Sequence, residues 1–181
     1  MPSKKAQRVG LISDTHDRID EKLIELFSGT DLVLHGGDIG PKAYAWLDER
    51  YDLRAVKGNN DTGAWELDLP GARVEVVDGL RVLMIHELGT VEKPTAQVQF
   101  LLAAEQPDLV LSGHSHQPRF AEKDGVVYVN PGSAGPKRFK LPRVAGWLEL
   151  TAKDFTVTLF DLEKPKLKAP YERATYPRRR S

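Results

Sequence analysis

The sequence predicts an α/β protein in which two β-sheets pack face to face, with helices on their outer sides. Three observations predict it. Residues 8–57 read strand, helix, strand, helix, strand, the pattern of parallel strands joined by right-handed crossovers. After residue 107 the chain is mostly short strands separated by turn residues. The residues best suited to chemistry fall just past strand ends, the edge where open α/β sheets bind their ligands.

The elements follow in order. Arg8–Ser13 is a buried strand, with Asp14-Thr15-His16 at its end. Asp17 can cap a helix over 18–28 that places Ile19, Leu23, Ile24 and Phe27 on one face. Asp31–His35 is the next strand, and its two following glycines bring the backbone close to something just before Asp38. A helix over 42–50 leads to the strand Leu53–Lys57 and then to Gly58-Asn59-Asn60-Asp61. Ala72–Val77 and Arg81–His86 form a hairpin through Asp78-Gly79. Pro94 opens a helix that runs to about Gln106, where Pro107 stops it. Leu109–Ser112 is a short strand before Gly113-His114-Ser115-His116. Arg119–Lys123 and Val126–Asn130 pair through Asp124-Gly125, and Val144–Leu150 and Phe155–Asp161 complete the strands.

Composition narrows the function. A chain of 181 residues, 40% hydrophobic, is expected to form one domain, taken as 1–162, with a basic tail over 163–181. That tail carries seven Lys/Arg against two Glu, and a solvated terminus is the plain reading of it. With no cysteine, disulfides, thiol nucleophiles and thiolate metal sites are excluded. The start, Met-Pro-Ser-Lys-Lys, lacks a signal-peptide core, and no apolar run reaches the ~18 residues of a membrane span. A cytoplasmic protein with no membrane partner is expected.

Asp14, His16, Asp38, Asn59, His86, His114 and His116 form a set of oxygen and imidazole donors at strand ends. Such donors suit Mn, Fe, Zn, Co or Ni. Seven exceed one ion's usual need, whereas two sites sharing Asp38 use them all. Alone, His86 reads as a core histidine and Asn59 as a turn residue; in company, both read as ligands. His35 also ends a strand, and either orients a ligand or is structural. Asp61 holds a ligand loop or caps local backbone. Arg18, Lys137 and Arg138 are solvated unless they reach a substrate phosphate.

In their order along the chain, Asp14-x-His16, Gly37-Asp38, Gly58-Asn59, His86 and Gly113-His114-x-His116 resemble the motifs of the calcineurin-like metallophosphoesterase superfamily. The small size and Asn130-Pro131-Gly132-Ser133 resemble its small bacterial and archaeal phosphodiesterase branch, over about residues 8–161. The resemblance implies a four-layer α/β/β/α sandwich with two mixed β-sheets and a dinuclear centre. Asp14, His16, Asp38 and His116 would hold one ion, and Asp38, Asn59, His86 and His114 the other. Mn is the first expectation, and Fe, Zn, Co or Ni are compatible. The implied reaction is hydrolysis of a small phosphoester, most simply a diester, by a hydroxide bridging the ions. Asn130 and Ser133 would stand beside the centre.

One position departs from the larger members, where a histidine follows the Asn ligand. Here it is Asn60, whose amide can hydrogen-bond to substrate but cannot donate a proton near neutral pH. Activated or diester substrates are therefore expected. Two other functions compete. The same fold serves as a protein-binding scaffold in the retromer complex, in a lineage whose ligand set is eroded, whereas every position is filled here. A nuclease would rely on the basic tail alone, so nucleic acid is not the expected partner. The tail could pack on a second copy, which leaves a homo-oligomer compatible with the sequence.

Overall fold

A computed structural model describes residues 7–66 and 68–179. The first six residues, Arg180 of the basic tail and Ser181 lie outside them. In chain order the elements begin with β1 (Gln7–Ile12), α1 (Lys22–Leu26), β2 (Leu32–His35), α2 (Pro41–Asp48) and β3 (Asp52–Ala55). The hairpin β4 (Ala72–Val77) and β5 (Leu80–Ile85) follows, then α3 (Ala96–Glu105) and β6 (Leu109–Leu111). The chain closes with β7 (Arg119–Lys123), β8 (Val126–Asn130), β9 (Val144–Leu150), β10 (Asp154–Asp161) and β11 (Glu172–Pro177).

These strands form two mixed sheets, ordered β11-β10-β9-β1-β2-β3 and β4-β5-β6-β8-β7. In the first, β1, β2 and β3 are parallel; in the second, β5, β6 and β8 are. Their period-2 side chains build the layers. Val9, Leu11, Val82, Met84, Leu109, Leu111, Val127 and Val129 meet between the sheets. The alternate positions turn outward: Ile12 and Val33 pack with Leu23, Leu26 and Phe27, and Leu83 and Val110 pack with Val98 and Leu101. Because both sheets are covered on both faces, the central strands are apolar throughout. The result is the expected four-layer sandwich. Among the described residues no helix is long and apolar enough to cross a membrane.

Two expectations need correction. The helix expected over 18–28 shrinks to Lys22–Leu26, and Ile19 and Ile24 face solvent. Asp17 does not cap it. Its Oδ1 instead accepts the Lys42 and Ala43 amides at 2.7 and 3.3 Å, so it caps α2, across the gap between loops. His16 and Asp17 both have left-handed backbones, which no continuing helix accommodates. The basic tail is likewise not a free terminus. β11 pairs antiparallel with β10 as an edge strand. Arg178 then bonds the carbonyls of Asp78 and Thr151, and Arg179 those of Asp124 and Gly125. Those contacts tie the first sheet's edge to two hairpin turns of the second.

The loops after β1 and β2 run side by side. Asp14, His16 and Asp17 donate their amides to the carbonyls of Gly37, Asp38 and Ile39, extending the parallel pairing beyond the strands. His35, fully buried, locks them together. Its Nδ1 accepts the Gly37 amide at 3.1 Å, which leaves the proton on Nε2 to be donated to Thr15 Oγ1 at 3.0 Å. Thr15 passes its own hydroxyl hydrogen to the Ile39 carbonyl.

Burial pushes the His35 imidazole down from 6.5 to about 3. As pH falls below 6.5 the unfolded chain takes up this proton while the folded chain does not, so stability is full above 6.5 and lost toward 3. Between pH 7 and pH 5, His35 alone is expected to lower the unfolding free energy by about 2 kcal/mol. Urea unfolding of wild type and His35→Gln at the two pH values checks this: the variant should lose less stability on acidification, and equal losses would refute it.

Candidate metal centre

The loops at the carboxyl ends of β1, β2, β3, β5 and β6 deliver Asp14 and His16, Asp38, Asn59, His86, and His114 and His116 to one place. Five of these, Asp14, His16, Asp38, His114 and His116, have φ between 45° and 69°. A left-handed backbone costs a side-chain-bearing residue roughly 1–3 kcal/mol, and such strain persists only where surrounding bonds over-determine it. The close approach of the loops depends on two glycines. A Cβ on Gly58 would overlap the backbone nitrogen and carboxylate of Asp38, and one on Gly113 would overlap Ser13 Oγ and crowd the Asp14 carboxylate.

Asp14, His16, Asp38 and His116 each offer one ligand atom, and the four lie within 4.8 Å of one another. His116 Nε2 is 3.2 Å from Asp14 Oδ1 and 3.2 Å from His16 Nε2. His16 Nε2 is also 3.7 Å from Asp38 Oδ2. The second group extends from Asp38. His86 Nε2 lies 3.3 Å from Asp38 Oδ2 and 3.2 Å from Asn59 Oδ1, and His114 Nδ1 lies 2.9 Å from that same amide oxygen. The His86 and His114 rings meet edge to face. Asp38 Oδ2 is thus the atom common to both groups.

The electrostatics favour cations. Asp14 and Asp38 are buried, and among the described residues neither pairs with Lys or Arg. Two uncompensated carboxylates in a protein interior are costly unless positive charge is supplied. Burial pushes the Asp38 carboxyl up, but hydrogen bonds from His86 and from the Asn60 side chain and amide outweigh it and hold the group well below the usual carboxylate range. Burial likewise works to lower His86, and its bond to Asp38, the charge of Asp14 and its bond to Gly36 together raise it. His86 Nδ1 donates to the Gly36 carbonyl at 2.7 Å, which leaves Nε2 to face the acceptors. A proton on that nitrogen does what a cation would do. At His16 burial prevails and the imidazole is lowered, so a neutral ring presents its lone pair. On the open side Arg138 Nη2 stands 3.4 Å from His16 Nε2. The donor set and its unbalanced charge fit divalent ions.

The remaining candidates hold the loops. Asn60 donates its amide N–H to Asp38 Oδ1 at 2.8 Å and its side-chain amide to Oδ2 at 2.7 Å, so it grips both oxygens of that carboxylate. Asp61, buried, accepts the amides of Ile39, Gly40 and Gly58, joining the Asp38 loop to the Asn59 loop. Asn130 donates to the Gly113 carbonyl and Ser115 Oγ, fixing the loop of His114 and His116. Ser133 donates to the Asp14 carbonyl. His35 reaches none of the donors. Lys137 pairs with Glu163, and Arg18 is exposed.

Sequence reasoning missed Ser13 and Arg143. Ser13 Oγ donates to Asp14 Oδ2 at 2.7 Å, and its one signal was a hydroxyl closing an apolar strand. Arg143, also buried, bonds the Ala134 and Gly135 carbonyls and pairs with Asp20 at 2.7 Å. Nothing local in the sequence marks it.

Comparison with known proteins agrees with this geometry. Residues 8–153 match the model of the calcineurin-like phosphoesterase superfamily domain. A probable metallophosphoesterase of Methanothermobacter thermautotrophicus is 33% identical over 142 residues, covering 75% of this chain and 82% of that protein. A phosphodiesterase of Methanocaldococcus jannaschii is 26% identical over 167 residues, covering 82% of this chain and 96% of that protein. Among solved structures, vacuolar protein sorting 29 of Cryptosporidium parvum superposes with a TM-score of 0.80 at 19% identity, covering 97% of this chain and all of that one, a likeness of fold. The ordered donors, the four-layer sandwich and the family match agree: this chain belongs to the calcineurin-like phosphoesterase superfamily.

Proposed function

We propose that the protein is a phosphodiesterase that hydrolyses small phosphodiesters with two divalent ions, Mn first among them. The observation that carries this reading is the sharing of Asp38 Oδ2 between two donor groups, at 3.7 Å from His16 and 3.3 Å from His86. Ions bound there would attract a phosphate ester, stabilise charge in its transition state and lower the pKa of a water. The chain's own residues do the positioning. Asn60 keeps Asp38 ionised and oriented between the groups, and the Gly36 carbonyl sets the His86 tautomer. Arg138, exposed beside His16, can meet a non-bridging phosphate oxygen. With its amide committed to Asp38, Asn60 supplies no proton to a departing oxygen. Substrates with acidic leaving groups should therefore react fastest.

A scaffold role is the second reading, favoured by the likeness of fold to vacuolar protein sorting 29. Turnover separates the two. Metal-stripped protein reloaded with Mn²⁺ is expected to bind two ions per chain and to hydrolyse bis(p-nitrophenyl) phosphate. Asp38→Asn and His86→Ala should each lower kcat by at least about 10²-fold. Activity that survives rigorous chelation would refute the mechanism, and a metal-loaded protein that hydrolyses no ester would favour the scaffold.

Arg138→Ala should raise KM for the same ester about tenfold, the worth of one charge-assisted phosphate contact, with metal content unchanged. Elemental analysis beside steady-state kinetics checks both halves, and an unaltered KM would remove Arg138 from the substrate site.

A further inference from the structure

We infer that a cleft beside His114 receives one ester arm of the substrate, and that it favours a flat aromatic group. This deepens the phosphodiesterase reading and rests on it. The cleft, about 350 Å³, lies between the loop after β5, the His114 loop and the end of β8. Its lining runs from Gly113 and His114 to Leu88, Val91, Tyr128 and Val129. His114 is a wall of the cleft on one side, and on the other its Nδ1 meets Asn59 Oδ1. A phosphate seated on the donor groups would therefore direct one of its arms past His114.

Size and chemistry define the arm. The volume lies at the small end of ligand pockets, which run from roughly 300 to 1,000 Å³, so it suits one ring system and not a polymer. A second cleft, of 380 Å³, also borders the donors. Its lining includes Lys57, Asn59, His86, Thr95 and Gln97, and among the described residues Ile85 is its one large apolar side chain. Leu88, Val91, Tyr128 and Val129 therefore favour the first cleft for a ring by apolar burial, with Glu87, Thr90, Gln117 and Arg119 as the polar and charged part of its lining.

The walls are built beforehand. Thr95 donates its amide to the Leu88 carbonyl at 3.0 Å, Thr90 to that of Lys93 at 3.2 Å, and the Lys93 amide to Thr90 Oγ1 at 2.9 Å. Asn130 fixes the facing loop at Gly113 and Ser115. An arm that enters meets a formed surface and does not have to order one.

Two p-nitrophenyl diesters with the same leaving group, one with a phenyl and one with a methyl second arm, provide the test on metal-loaded protein. KM for the phenyl ester is expected to be at least about tenfold lower. Gln117→Trp, at an exposed position of the lining, should fill the cleft and erase that preference. Binding is read separately by amide NMR of the protein loaded with diamagnetic Zn²⁺, with phenylphosphonate and methylphosphonate, neither of which has an ester bond to hydrolyse. Only the phenyl compound should shift the amides of Leu88, Thr90 and Gln117. Equal KM values for the two esters, or no phenyl-specific shift at those amides, would overturn the inference. Phenyl-specific shifts without hydrolysis of either ester would uphold the cleft and remove the phosphodiesterase reading.

Discussion

Two buried carboxylates that no lysine or arginine among the described residues neutralises set the conditions for the rest of the centre. Asp14 and Asp38 lie at the ends of neighbouring parallel strands, among imidazoles, with at most 2% of either residue exposed. Desolvating one carboxylate without compensation costs several kcal/mol, so a pair must be answered by positive charge. Among the chain's own groups His86 answers in part, its imidazole raised by its bond to Asp38 and the charge of Asp14. Divalent ions would answer more fully, because each would bring two charges to a place the chain has already shaped.

Holding that charge requires strained loops, and a layer of buried hydrogen bonds sustains them. Asp61 accepts three amides from two loops, His35 and Thr15 link two more, and Asn130 and Ser133 hold the late loop against Gly113 and Asp14. These groups lie outside the candidate donor set. They offset the left-handed backbones of Asp14, His16, Asp38, His114 and His116, which would otherwise relax and scatter the donors. The rigidity that favours ion binding also shapes the cleft beside His114, since Asn130 braces both.

Much of the fold was legible because its central strands are covered on both faces. Runs such as Val82–Ile85 and Leu109–Leu111 are continuously apolar, and the Asp-Gly hairpins have a local cause. The donor set was legible for a similar reason: glycines precede Asp38, Asn59 and His114 where loops approach too closely for a Cβ. The exceptions each depend on a distant partner. Asp17 looks like a cap for the helix that follows it, yet it serves α2, because the loops after β1 and β2 run together. The charges of 163–181 suggest a solvated end, but composition carries no sign of the pairing between β11 and β10, or of hairpin carbonyls within reach of Arg178 and Arg179.

The sequence by itself determined the order of strands and helices as far as β10, the candidate donors and the absence of thiol chemistry, because these follow from local pattern and residue type. Tertiary structure alone decided which atoms meet. That His86 presents Nε2, that Asn60 is committed to Asp38, that Arg143 is buried against Asp20 and that a cleft opens past His114 all depend on bonds between loops far apart along the chain. Periodicity records which face of a strand is buried; only the packed sheets set the distance and direction between side chains at their ends.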